Sequence, residues 1–135
     1  MRAMPRLLLL MIASFFAGSA LAQSVAIKGY DPVAYFEPGR PIKGSDSISY
    51  EFDGTRYLFA SQKNRELFAK DPDRYSPQFS GLCAANLAHG RKVEADPTAF
   101  IVRDGKLYLF QGQTGVERAK TDPSLLTQAH QNARK

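Results

Sequence analysis

Beyond residue 22 the chain carries one cysteine, two histidines and no methionine. The thiol Cys83 is the only strong soft-metal ligand or nucleophile in that stretch. It lies in Gly81-Leu82-Cys83-Ala84-Ala85-Asn86-Leu87, where a helix is predicted over residues 82–89. That places Cys83 in the first turn, near N–H groups that have no partner inside the helix. Such surroundings favour the thiolate, the form that binds Cu(I), Hg(II) or Zn(II). Three readings of Cys83 stay open: a small hydrophobe packed by Leu82 and Leu87, a metal or redox thiol, and a nucleophile.

The imidazoles decide which partners Cys83 has. His89 follows six residues later, rotated by roughly 240° around a helix, so it is expected to face away. Asn86 and Leu87 lie beside Cys83 instead. His130, on a distant predicted helix, reaches Cys83 only through the fold and is the candidate second metal ligand.

The carboxylates read as caps and turns. Asp31 precedes Pro32 as a helix cap, and Asp71, Asp96 and Asp122 each precede proline. The rival to a metal site is an aromatic pocket for a small ligand, lined by Tyr30, Asp31, Tyr35, Tyr75, Phe79 and Asn86. No carboxylate pair, phosphate loop, Gly-x-Ser-x-Gly or haem motif is present. No base is placed beside a nucleophile, so a non-enzymatic module is expected.

Several elements must position these groups. Ser24 to Lys28 reads as a short edge strand, and Val33 to Phe36 as one turn of helix. Ile48, Tyr50 and Phe52 alternate with polar residues, the pattern of a half-buried strand. Asp53-Gly54 and Asp104-Gly105 are hairpin turns, giving hairpins over 48–60 and 99–110 of one antiparallel sheet. Ser61 caps a helix to about Lys70, which Asp71-Pro72 stops. Gly112 and Gly115 loosen the chain after the second hairpin. Pro123 to about Ala133 forms a final helix, with Leu126, Ala129, His130 and Ala133 on one face. The two hairpin-then-helix passes show no evident sequence repeat. The class is α+β, a small antiparallel sheet of two β-hairpins with short helices packed on it.

The formal net charge is +5. The basic residues are scattered, without the stripe that nucleic-acid binding needs. Arg2 and Arg6, the apolar run Leu7 to Phe16, and Ala20-Leu21-Ala22 have the pattern of a signal peptide over 1–22. The expected mature protein, a single domain over 23–135, is periplasmic or secreted with no stable membrane anchor. With one cysteine it has no internal disulfide. Cys83 is instead buried, bound, or paired with a second copy or a partner protein.

These motifs together resemble the exported, single-domain branch of the YHS-domain family. The resemblance rests on Gly29-Tyr30-Asp31-Pro32-Val33-Ala34-Tyr35-Phe36, on Phe59-Ala60-Ser61 with Asn64 and Phe68, and on Asp71-Pro72 with Tyr75 and Pro77. Gly81-Leu82-Cys83-Ala84, Gly90, Asp96-Pro97 and Gly105 to Leu109 continue it. The family's Tyr-His-Ser triplet reads Phe59-Ala60-Ser61 here, without the histidine. The resemblance implies the fold and an exported context, and points to heavy-metal handling. The expected cargo is Cu(I) or another soft ion on Cys83. One thiolate does not complete such a site, so a second ligand must come from His130, a second protomer or a partner.

Overall fold

A computed structural model describes residues 23–135; the expected signal peptide lies outside the described residues. Strands β1 (Ser45–Phe52) and β2 (Thr55–Phe59) form one hairpin, and β3 (Asp96–Arg103) and β4 (Lys106–Phe110) another. Asp53-Gly54 and Asp104-Gly105 turn them with positive φ at both residues (51° and 73°, 53° and 71°), as a two-residue hairpin turn requires. The α+β class stands. The hairpins do not share one sheet, however: each is a separate two-stranded sheet. Helices α1 (Gln62–Lys70), α2 (Pro72–Tyr75), α3 (Ala84–Ala88), α4 (Gln113–Thr121) and α5 (Ser124–Ala133) pack around them.

Local chemistry sets the boundaries. The Ser61 hydroxyl caps α1 by accepting from Asn64 N (3.1 Å). Asp71 ends α1 and caps α2, with Pro72 at the first helical position. Three local expectations are corrected. Residues 24–28 form no strand: Val25 makes a single bridge to Arg56, and the chain then turns sharply through Ala26–Gly29. Asp31 is followed by a run of turns rather than a helix. The stretch after β4 is the nine-residue helix α4. A Cβ on its Gly115 would lie 3.1 Å from Phe110 Cδ1 and 3.3 Å from Ala85 Cβ, so the glycine permits close packing instead of loosening the chain.

The second half of the molecule repeats the first. Val25 bridges Arg56, and Pro77 bridges Leu107, both in parallel sense. A left-handed turn follows each: Ile27, Lys28 and Gly29 have φ of 52°, 49° and 88°, and Phe79, Ser80 and Gly81 have 59°, 54° and 82°. Asp31 N then donates to Ile42 O (2.8 Å) and Cys83 N to Val93 O (2.7 Å). The hairpins share one irregular register, with Ser45↔Phe59 and Asp96↔Phe110 set off from the regular pairs. A nine-residue helix ending before Asp-Pro closes each half. Read along this frame, Asp53-Gly54, Tyr57-Leu58-Phe59, Gln62, Glu66 and Asp71-Pro72 recur as Asp104-Gly105, Tyr108-Leu109-Phe110, Gln113, Glu117 and Asp122-Pro123. The repeat is thus present in the sequence as well.

Each half has its own core. Val33, Tyr57, Phe59, Phe68 and Tyr75 fill the first, with the Phe68 ring centroid 4.6 Å from that of Tyr57 and 5.3 Å from that of Phe59. Leu107, Leu109 and Phe110 of β4, Leu87 and Cys83 at α3, and Leu125, Leu126 and Ala129 of α5 fill the second. Tyr35 joins them. It is buried in the second core, donates to Pro97 O (2.7 Å) and packs edge-on against Phe100. Burial, with the negative charge of Asp96 and Asp31 nearby, pushes its phenol well above the usual tyrosine range.

Candidate functional site

Asp31 and Cys83 hold the same place in the two halves, directly after the left-handed turn. Asp31 is fully buried and completely satisfied. Its Oδ1 accepts from Val33 N (2.8 Å), and its Oδ2 accepts from Ala60 N (2.8 Å) and Asn64 Nδ2 (2.8 Å). The carboxylate therefore ties the Tyr30-Asp31-Pro32 turn to the start of α1. No ligand-facing oxygen is left over, so Asp31 is structural.

In the second half the corresponding group is a thiol. Cys83 caps α3 instead of sitting inside its first turn, as the sequence had implied. Its Sγ accepts from Asn86 Nδ2 (3.2 Å) and, more weakly, from Asn86 N (3.5 Å). The counterpart of Asn64, the third residue of its helix, is Gly115. The side chain that closes over Asp31 is therefore missing above Cys83. A surface cleft of about 300 Å³ opens there, with Cys83, Asn86, His89, Arg91, Gln111 and Arg118 among its lining residues. Cys83 remains only 1% exposed, at the floor of the cleft.

Asn86 organises this floor. Its Nδ2 also donates to Gln111 Oε1 (3.1 Å), and its Oδ1 accepts from Arg91 Nε (3.3 Å). Arg118 donates from a terminal nitrogen to His89 Nε2 (3.1 Å). Because guanidinium has no acceptor, His89 Nε2 is the acceptor in this contact. The expectation that His89 faces away from Cys83 is overturned. The helix stops at Ala88, His89 takes φ −99°, ψ 11° as its cap, and continued helical rotation no longer applies.

The other expected groupings do not form. His130 lies in a separate groove, lined also by Phe79, Ser80 and Glu94. Its Nε2 pairs with the Tyr108 hydroxyl (2.9 Å), and its ring sits edge-on to Phe79 at 4.9 Å. Burial, with Lys106 and Arg134 nearby, holds its imidazole below the usual 6.5. Cys83 and His130 are therefore not brought together. The aromatic pocket is not assembled either. Tyr35 and Tyr75 are core residues, Tyr75 against Phe36, Tyr30 lies under Lys43, Phe79 faces the His130 groove, and Asn86 faces the Cys83 cleft.

Sequence reasoning passed over Arg91, Gln111 and Arg118, and turned His89 away. The repeated Asp-Gly-x-x-Tyr-Leu-Phe motif carried the missing signal, because it aligns Gly112 and Gly115 with Ser61 and Asn64. Among the described residues no group of three or more His, Cys, Asp or Glu side chains is placed to hold a metal ion. The cleft offers one sulfur at its floor and one imidazole, whose Nε2 is engaged by Arg118, among its lining. That donor set falls short of the four ligands of a structural zinc site and suits a soft ion of low coordination number. No helix among the described residues is long and apolar enough to cross a membrane.

A family model described as the YHS domain matches residues 33–79, most of the first half from Val33 on and the start of the left-handed turn that opens the second. The rest of the second half, with the cysteine, lies beyond that match. No curated protein and no solved structure matches the chain.

Proposed function

Because the chain carries a YHS domain over residues 33–79, we propose that it is an exported, non-enzymatic binding module that handles a soft metal ion, Cu(I) above all, through the Cys83 thiol. One observation supports this most. At the position where the first half spends a buried, fully bonded carboxylate on structure, the second half places a thiol under an open cleft. Cys83 supplies the soft ligand. Asn86 orients the sulfur by donating to it, and His89 lines the same cleft with its Nε2 engaged by Arg118. The ion is cargo, and the protein holds and passes it without changing its oxidation state.

A second reading draws on the 1% exposure of Cys83: the thiol is core packing, and the module serves a structural or interaction role. The two readings differ in how the thiol meets a reagent. Under the first, a small maleimide modifies Cys83 in the native protein at neutral pH, at a rate within about a hundredfold of the denatured chain. Modification confined to denaturant would favour the second.

A further inference from the structure

The cleft beside Cys83 is cationic. Arg91, Arg118 and His89 line it, and no acidic residue does. Arg91 commits only its Nε, to Asn86, and Arg118 one terminal nitrogen, to His89. Among the described residues neither arginine forms an ion pair within 4.0 Å. The carboxylates close to Arg118 along the chain are engaged elsewhere: Glu117 Oε1 accepts from Lys120 Nζ (3.2 Å), and Asp122 Oδ1 accepts from Ser124 N (3.0 Å) and Oγ (2.6 Å). Two guanidinium groups thus keep free donors on one small concavity, an arrangement suited to carboxylate. Gln111 adds an amide beside them.

We propose that this cleft binds a small anionic thiol, whose carboxylate docks on Arg91 and Arg118 and whose sulfur is the second ligand to the Cu(I) on Cys83. The role given to the sulfur rests on the metal reading above; the carboxylate docking rests on the cleft's charge alone. The proposal answers the shortage of ligands, since Cys83 has no second thiol and His130 is elsewhere. On binding, the incoming S–H proton passes to solvent as the S–Cu bond forms. Copper stays Cu(I) and no electron moves.

The test uses glutathione as the anionic thiol and S-methylglutathione as its thiol-blocked control, on the purified protein. Without copper, S-methylglutathione should shift the backbone amide resonances of Gln111, Gly112 and Gly115. The double variant Arg91→Ala/Arg118→Ala should weaken that binding at least about tenfold while its circular dichroism stays unchanged. With Cu(I), glutathione should raise retention against a chelator about tenfold, and S-methylglutathione should not. Binding of S-methylglutathione that the double variant leaves unchanged, or no binding at all, would overturn the proposal while leaving Cu(I) on Cys83 intact. Docking that survives alongside a failure of the wild-type protein to retain Cu(I) would instead overturn the metal reading and the sulfur's role with it.

Discussion

Replacing Asp31 by alanine should destabilise the protein severely. The carboxylate is fully buried and accepts three hydrogen bonds, from Val33 N, Ala60 N and Asn64 Nδ2, all at 2.8 Å. A hydrogen bond to a charged group contributes about 1.5–3 kcal/mol, and a donor left buried without a partner costs about 1–3 kcal/mol. Ala60 and Asn64 are part-exposed and recover some solvation, so the three terms do not add fully. A loss of about 3–5 kcal/mol is expected, a large share of the roughly 5–15 kcal/mol typical of a whole domain. At about 4 °C per kcal/mol for a domain of this size, Tm should drop by about 12–20 °C. Asp31→Asn keeps the volume but offers one acceptor oxygen where two are used, and should cost about 1–3 kcal/mol. Asn64→Ala removes one donor and should cost less than either. Urea titration followed by circular dichroism measures all three. If Asp31→Ala lay within about 1 kcal/mol of wild type, the claim that this carboxylate ties the turn to α1 would be wrong.

Two further outcomes follow from the geometry. Gly44→Ala should lower stability by more than about 3 kcal/mol, beyond ordinary overpacking, because a Cβ there would strike the Leu58 backbone carbonyl carbon and lie 2.6 Å from Phe59 N; thermal unfolding reads this directly, and a Tm unchanged from wild type would refute it. The neutral form of His130 is favoured in the fold by burial and by Lys106 and Arg134. Its contribution is therefore fully present above the unfolded value of 6.5 and is lost as pH falls below it. Urea midpoints between pH 7.5 and 5 should fall more steeply in wild type than in His130→Gln, and parallel curves would contradict this reading.

Much of the scaffold was legible because local and tertiary signals agree. Asp53-Gly54 and Asp104-Gly105 can only be tight turns between strand-like runs, and Ser61 and Asp71-Pro72 punctuate the helices by side-chain chemistry that operates within three residues. The failures came where tertiary packing overrides local preference. Gly112 and Gly115 lower helix propensity, yet α4 forms because Gly115 lets the helix approach Phe110 and Ala85. Ile27 and Phe79 adopt left-handed φ that such side chains rarely take, so residues 24–28 could not be read as a turn from composition. The site was half legible. Cys83 stood out as the single thiol, but its neighbours Arg91, Gln111 and Arg118 come from three separate segments, and His89 joins them only because α3 is one turn long. His130 drew notice by its chemistry alone, and the fold spends it on Tyr108 and Phe79.

Cu(I) stoichiometry in competition with a chromophoric chelator tests the central claim most directly. Wild-type protein should take up one Cu(I), Cys83→Ser none, and His130→Ala one as in wild type, because His130 lies in a different groove. Copper retained by Cys83→Ser, or lost from His130→Ala, would contradict the assignment of the thiol in the second-half cleft as the functional group.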